Sequence, residues 1–210
     1  MFLVQKSELL MNKIKNFFYF ITFIFLLNGV DAYTSETKNL TSIGDKNAKV
    51  TVKVFSSLSC PHCAHFHGEV FEKLKKEFID TNYVKFEHHS FPLDLQALSA
   101  EKVLKCFQDN EKKFNFLNEV YAKQESWFRG KDINSINLKL IKIAKNYNLN
   151  DDKIKSCLND ESLEDEILNE RISGNKKYSI TSTPTIFINE KKYEGKHNYE
   201  DFKKAIKKLL

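Results

Sequence analysis

Apolar and polar residues alternate along residues 49–55. Val50, Val52 and Val54 fall on one face, and the residues between them are lysine and threonine. A period of two is typical of a half-buried β-strand. We therefore predict a strand here, followed by a short serine-rich turn over residues 56–59.

The pattern changes to helical spacing directly after that turn. Phe66, Val70, Leu74 and Phe78 recur every four residues and mark one face of a helix that ends near Asp80. Residues 83–91 then indicate a second strand. It stops at Pro92 because proline has no N–H to donate to a neighbouring strand.

Residues 95–178 carry no strand pattern and no proline. Asn150 with Asp151, and Asp160 with Ser162, are typical helix caps. The apolar residues that recur at helical spacing include Val103, Leu104, Phe107, Phe114, Leu117, Tyr121, Leu140, Ala144 and Tyr147. This stretch is predicted to be a block of helices.

The C-terminal part returns to strands and ends in a helix. Residues 185–188 and 192–193 predict two short strands joined at Asn189 and Glu190, and Asn198 begins the last helix. Its buried stripe is expected to consist of Phe202, Ile206 and Leu209. Strand, helix, strand, helical block, hairpin and helix together predict a mixed α/β fold.

Residues 1–32 have the pattern of a secretory signal. Three lysines precede an apolar run over residues 17–27, and Val30 and Ala32 suit cleavage after Ala32. The run is shorter than the roughly 20 residues that a membrane span needs, so an uncleaved anchor is the weaker alternative. Met11 is an alternative start. Export with no endoplasmic-reticulum retention signal favours a bacterial periplasm.

The charge balance argues against a nucleic-acid site. The formal net charge is +5, from 33 Lys and Arg against 28 Asp and Glu. The basic residues are almost all lysines interleaved with acids, which is typical of a solvated surface. No nucleic-acid partner is expected.

Cys60 and Cys63 enclose a proline and a histidine where the serine turn meets the first predicted helix. This spacing closes a small, easily reduced disulfide. A thiolate at a helix start is stabilised by unpaired N–H groups and by the positive end of the helix dipole. The motif indicates thiol-disulfide exchange.

The Cys-Pro-His-Cys motif at residues 60–63 and the distant Thr183-Pro184, in this order of elements, resemble the thioredoxin fold. The helical block between its halves resembles the DsbA family of thiol:disulfide oxidoreductases, and the match covers residues 43–210. The implied organisation is a lead-in at 33–48, a thioredoxin-like domain from 49–94 and 179–210, and a helical insertion at 95–178. No cofactor and no metal are implied.

The resemblance assigns a role to each site residue. Cys60 is the nucleophile, expected to lie exposed at the helix start, and Cys63 is the more shielded resolving thiol. His62 is expected to stabilise the Cys60 thiolate. A cis bond between Thr183 and Pro184 aims the Thr183 backbone towards an extended substrate.

The resemblance also implies partners. A monomer that oxidises reduced exported polypeptides, and is reoxidised by a DsbB-like membrane protein, is expected. Familiar members often have a buried acid where this chain has Val54, and valine where it has Thr183. The direction of electron flow therefore stays open, with an isomerase or reductase as the alternative.

Two further interpretations concern the remaining cysteines and the histidines. Cys106 and Cys157 fall in separate predicted helices among apolar neighbours, so we predict a structural disulfide; two buried free thiols are the alternative. Thiolate and imidazole also suit zinc or copper. The alternative function is therefore a metal-binding module, in which His62, His65 and His67 would bind the metal together with Cys60 and Cys63.

Overall fold

The computed structural model describes residues 40–210. The predicted signal, residues 1–32, lies outside the described residues, as do residues 33–39 of the predicted lead-in. Within the described chain, no helix is both long and apolar enough to cross a bilayer.

The described residues form five strands and eight helices. The strands are β1 Thr41–Ile43, β2 Val50–Ser56, β3 Val84–Ser90, β4 Thr185–Ile188 and β5 Lys191–Lys192. Helix α1 spans residues 61–79 and includes π-helical turns at His67–Phe71 and Lys75–Ile79. The others are α2 Leu95–Cys106, α3 Asn110–Ala122, α4 Gln124–Phe128, α5 Ile133–Lys145, α6 Asp151–Leu158, α7 Glu161–Tyr178 and α8 Tyr199–Lys207.

The strands form one mixed sheet in the order β1-β3-β2-β4-β5. β2 lies at the centre, parallel to β3 and antiparallel to β4, while β1 and β5 close the two edges in antiparallel pairs. A parallel pair needs a crossover, and α1 supplies it between β2 and β3. The Cys60–Cys63 motif therefore follows the central strand.

The alternation along β2 separates two apolar layers. Val50, Val52 and Val54 are fully buried in the main core, together with residues of α1, of the helical block and of α8. Phe55 lies on the opposite face with a smaller cluster of Phe91, Ile180 and Phe187. The sheet is covered on both faces, and the predicted mixed α/β fold with a helical block is confirmed.

Residues 95–178 form six helices and contain no strand. Asn150 and Asp160 cap α6 and α7 as predicted, each accepting a hydrogen bond from the backbone N–H three residues on. Asp94, Asp109 and Asp132 cap α2, α3 and α5 in the same way.

The C-terminal hairpin and helix follow the sequence pattern with one correction. β4 has the predicted bounds and β5 begins one residue earlier than predicted. Phe202 and Ile206 are buried, but the prediction for Leu209 was wrong. Leu209 is 39% exposed because α8 ends at Lys207 and the last residues turn away from the core.

Candidate active site

The Cys60–Cys63 motif begins directly after β2. Ser57 and Ser59 form a buried turn, in which the Ser57 carbonyl accepts a 3.1 Å hydrogen bond from the Cys60 N–H. Cys60 is the N-cap of α1 and makes no side-chain cap, and Pro61 occupies the first helical position. Proline suits that position because the N–H it lacks would have no helical partner there.

The turn is tied to the helical block. The Ser59 hydroxyl donates a 2.7 Å hydrogen bond to Asp94, which also caps α2. The Ser57 hydroxyl accepts a 3.2 Å hydrogen bond from the Leu93 N–H. Neither contact was predicted, because Ser59 and Asp94 lie in segments whose relative position depends on the tertiary fold.

Cys60 is more buried than predicted. Its side chain was expected to lie exposed, but the residue is 7% exposed because the loop before Pro184 covers it. The Cys60 Sγ lies 3.4 Å from the Thr183 carbonyl oxygen. The sulfur is therefore reached past the Thr183-Pro184 loop, and that loop forms one wall of the site.

The Cys60 thiol has a pKa lowered from 9.0 to about 5. The hydrogen bond from the Cys63 thiol is the largest cause; burial opposes it, and Thr183 and the backbone N–H groups of Cys63 and His62 assist. These donors favour the thiolate over the thiol. At neutral pH the reduced site therefore carries a thiolate on Cys60.

Cys63 is in the opposite state. It is 1% exposed, and burial first, then the neighbouring Cys60, raises its pKa well above the ordinary range. Both cysteines are free thiols in the structure. One sulfur is thus ionised and the other protonated, and the ionised sulfur is the form that attacks in thiol-disulfide exchange.

The bond between Thr183 and Pro184 is cis. The Thr183 hydroxyl helps to lower the pKa of Cys60, although its buried oxygen has no hydrogen-bond partner at normal distance among the described residues. A hydroxyl can donate to a thiolate, whereas a carbonyl oxygen cannot. Thr183 therefore offers a donor to the sulfurs when they are ionised.

His62 is exposed, and its backbone N–H contributes to the lowered pKa of Cys60. No hydrogen bond joins its imidazole to the Cys60 sulfur among the described residues. The His62 side chain instead lies near His197, whose pKa is lowered by burial and then by His62. His197 contacts Phe66 of α1 edge-on, with ring centroids 6.1 Å apart.

The histidines considered for a metal site do not converge. His65 is exposed, whereas His67 is buried, stacks on Phe71 and hydrogen-bonds Asn118. Burial lowers the pKa of His67 to about 3, so its imidazole is neutral. Among residues 40–210, no three His, Cys, Asp or Glu side chains are grouped to hold a metal ion.

A buried acid does lie near the central strand, although Val54 itself is apolar. Val54 pairs with His88 of β3, and His88 Nε2 lies 2.9 Å from Glu101 of α2. Glu101 is fully buried and also accepts a hydrogen bond from the Ser90 hydroxyl. Sequence reasoning missed this group because a glutamate within a helix is most often on the surface.

Cys106 and Cys157 form a disulfide in the structure, with Cα atoms 5.9 Å apart. The bond joins the end of α2 to α6, and both residues are buried. It lies within the helical block, so the block carries a covalent link independent of the Cys60–Cys63 pair.

Comparisons of this chain with known families, proteins and structures agree on the family. The model of a family described as Thioredoxin matches residues 36–208. The crystal structure of Wolbachia pipientis alpha-DsbA1 is 32% identical, with a TM-score of 0.76 over 81% of this chain and 90% of that one. Disulfide bond formation protein D of Bacillus subtilis is 29% identical, over 80% of this chain and 76% of that protein.

A Rickettsia prowazekii protein, provisionally named a protein-disulfide oxidoreductase, is 27% identical over 168 residues. The match covers 80% of this chain but only 60% of that protein, so the chain spans about three fifths of the length of this relative.

Proposed function

The chain belongs to the DsbA family within the thioredoxin fold, and from this premise we propose that it is a periplasmic thiol:disulfide oxidoreductase. It donates the Cys60–Cys63 disulfide to reduced exported proteins. A DsbB-like membrane protein then reoxidises the pair. The periplasmic location is proposed from the predicted signal at residues 1–32 and from the family.

The observation that carries the proposal is the lowered pKa of Cys60 beside the Thr183-Pro184 loop. A stabilised thiolate stabilises the reduced enzyme, and this makes the disulfide form a stronger oxidant. A thiolate of low pKa is also the better leaving group when the substrate is released.

The reaction has two exchange steps. A substrate thiolate attacks the Cys60 sulfur, the Cys60–Cys63 bond breaks, and Cys63 leaves with the electron pair and takes a proton. A second substrate thiolate then attacks the substrate sulfur of the mixed disulfide, and Cys60 leaves as a thiolate. The substrate loses two electrons and the enzyme gains them.

Thr183 supports the proposed substrate site. Its backbone lies directly before the cis-proline and against the Cys60 sulfur, where an extended polypeptide can pair with it as a strand does. His62, exposed at the start of α1, is proposed to stabilise the thiolate further through its charge.

The equilibrium of the Cys60–Cys63 pair with glutathione tests the proposed direction. We expect this equilibrium to show an oxidising pair. Cys60→Ser should abolish oxidation of a reduced model protein, and Cys63→Ser should accumulate mixed disulfides through Cys60. A pair as reducing as thioredoxin, or found as the dithiol in the cell, would replace the oxidase with an isomerase or reductase, the alternative that Thr183 keeps open.

A further inference from the structure

Gln124 of α4 reaches from the helical block to the active-site turn. It lies just after a break between α3 and α4, where Lys123 has φ −104° and ψ 18°. The residue is 8% exposed. Its Nε2 donates hydrogen bonds to the carbonyl oxygens of Leu58, at 2.8 Å, and of Cys60, at 3.1 Å.

The orientation of this amide is fixed by its partners. Both are backbone carbonyl oxygens, which only accept, so the NH₂ group and not the amide oxygen faces the turn. The side chain bridges the carbonyls on either side of Ser59. The Cys60 carbonyl also accepts from the N–H groups of Cys63 and Ala64, each at 3.1 Å.

The other contacts of this turn are made by its serines and by the backbone of α1 itself, so Gln124 is the side chain that holds the Cys60 carbonyl from the helical block. Cys60 makes no side-chain cap, and Pro61 has no N–H. The N–H groups that favour the thiolate, those of His62 and Cys63, belong to the same first turn as the Cys60 carbonyl. A tilt of the Cys60 peptide would therefore move these donors relative to the sulfur.

We propose that Gln124 is a positioning residue for Cys60. By holding the Leu58 and Cys60 carbonyls, it keeps the first turn of α1 aimed at the Cys60 sulfur, so the helical block sets the reactivity of the thiol. The consequence for oxidation rests on the proposed function; the effect on the thiol itself does not.

Two variants separate positioning from packing. Gln124→Met keeps the length of the side chain but has no donor, so both hydrogen bonds are lost. Because neither of them is made to the sulfur itself, only part of their free energy reaches the thiolate, and we expect the Cys60 pKa to rise by about half a unit to one unit. The equilibrium with glutathione should shift about threefold to tenfold towards a less oxidising pair. Gln124→Lys restores N–H donors, so its Cys60 pKa should be equal to or below that of the wild type.

Thiolate absorbance near 240 nm, followed against pH, measures the Cys60 pKa directly. The full-length protein is used, with the Cys60–Cys63 pair reduced and the Cys106–Cys157 disulfide intact. Cys60 is the titrating sulfur, because the Cys63 pKa is far higher and Cys106 and Cys157 are joined. Asn118→Ala is the matched control, since it removes another side-chain amide of the helical block that hydrogen-bonds α1 further along, at His67. It should lower stability and leave the Cys60 pKa unchanged.

The proposal is overturned if folded Gln124→Met keeps the wild-type pKa, if Gln124→Lys raises the pKa as much as Gln124→Met, or if Asn118→Ala produces the same shift. Circular dichroism and urea unfolding establish which variants are folded. If Gln124→Met does not fold, Gln124→Leu, which also has no donor, takes its place, and a wild-type Cys60 pKa in that variant overturns the proposal in the same way. A wild-type pair that proves reducing contradicts the proposed function and leaves this titration unaffected.

Discussion

Cys60 and Cys63 differ in pKa because of what surrounds each sulfur. Cys60 is within reach of the hydrogen-bond donors of the first helical turn, whereas Cys63 lies inside the core and next to a negative charge. The type and order of these residues follow from the sequence. Their burial does not, because the loop that covers Cys60 comes from Thr183, more than 100 residues away.

The lowered pKa of Cys60 predicts the pH dependence of its alkylation. The rate with iodoacetamide should be level above about pH 6 and fall about tenfold per pH unit below the pKa of about 5. Because the folded pKa is depressed, the thiolate stabilises the reduced fold fully above pH 9.0 and this contribution is lost as pH falls through about 5. Mass spectrometry of the labelled protein measures the rate, and a midpoint near 9 would contradict the site geometry.

A substitution at His62 separates its backbone from its side chain. His62→Ala keeps the N–H that contributes to the lowered pKa, so we expect the Cys60 pKa to rise by only about one unit or less. The same thiolate titration measures it. Return of the pKa to the ordinary value of 9.0 would show that the imidazole is the main cause.

At the scale of elements, α7 is joined to β3 by charged side chains. Glu170 accepts a 3.1 Å hydrogen bond from the Ser90 N–H and lies 3.0 Å from Lys105 Nζ and 3.5 Å from His89 Nδ1. Gly174 packs directly on Phe55, since a Cβ there would come within 2.7 Å of the ring. These contacts place α7 on the face of the sheet opposite the main core.

Removing the Glu170 charge should weaken this junction. Burial opposes the ionised form, but His89 and Lys105 lower the pKa of Glu170 to about 2. Burial would lower the pKa of His89, yet Glu170 and Glu87 raise it above 6.5. We expect Glu170→Gln to reduce the free energy of unfolding by about 2 to 3 kcal/mol.

The pH dependence of that loss is a second readout. The Glu170 contribution is fully present above pH 4.5 and lost as pH falls towards about 2, and the His89 contribution is fully present below pH 6.5 and lost as pH rises through its higher folded pKa. Urea unfolding should therefore show the largest loss between about pH 4.5 and 6.5. Glu125→Gln, which breaks an exposed pair with Arg129, is the control and should change stability by about 0.5 kcal/mol or less.

The hairpin shows how far sequence reasoning extends at this scale. β4 and its turn were predicted from a β-branched and aromatic run before Asn189, and the turn residues Asn189 and Glu190 have φ of 46° and 65°. A left-handed pair is typical of a tight hairpin. Helix caps and strand periods are local and could be predicted. The Gln124, Glu101 and Glu170 contacts join distant segments and could not.

At the scale of the whole molecule, the Cys106–Cys157 disulfide restricts the helical block. It joins two residues that are 51 positions apart in the sequence. In the chain-entropy model this lowers the conformational entropy of the unfolded chain and stabilises the fold by roughly 4 kcal/mol. The double variant Cys106→Ala/Cys157→Ala should lose up to about this much stability and lower the melting temperature. The Cys60 pKa of this variant should stay unchanged, because neither Cys106 nor Cys157 is among the groups that lower it.

Peptide mapping without reductant checks the same bond in protein taken from the producing cell. A linked pair of peptides carrying Cys106 and Cys157 is expected. Two separately alkylated thiols at these positions would contradict the structure.

The proposed export also has a direct measurement. N-terminal sequencing of the protein recovered from the exporting cell should begin at or close to Tyr33. Protein that keeps residues 1–32 in the membrane fraction would instead support the anchor.

The deep burial of Cys63 has a kinetic consequence for any captured polypeptide. In the mixed disulfide of the proposed reaction, Cys63 can expel the substrate only after losing its proton, and burial, the largest cause of its raised pKa, keeps the attacking thiolate scarce even though Cys60 no longer carries a charge. If the proposed function holds, a polypeptide with a second cysteine in reach should complete its own disulfide before Cys63 reverses the capture. A polypeptide with a single cysteine should stay attached for longer and leave as the free thiol, so the lifetime of the mixed disulfide would distinguish the two.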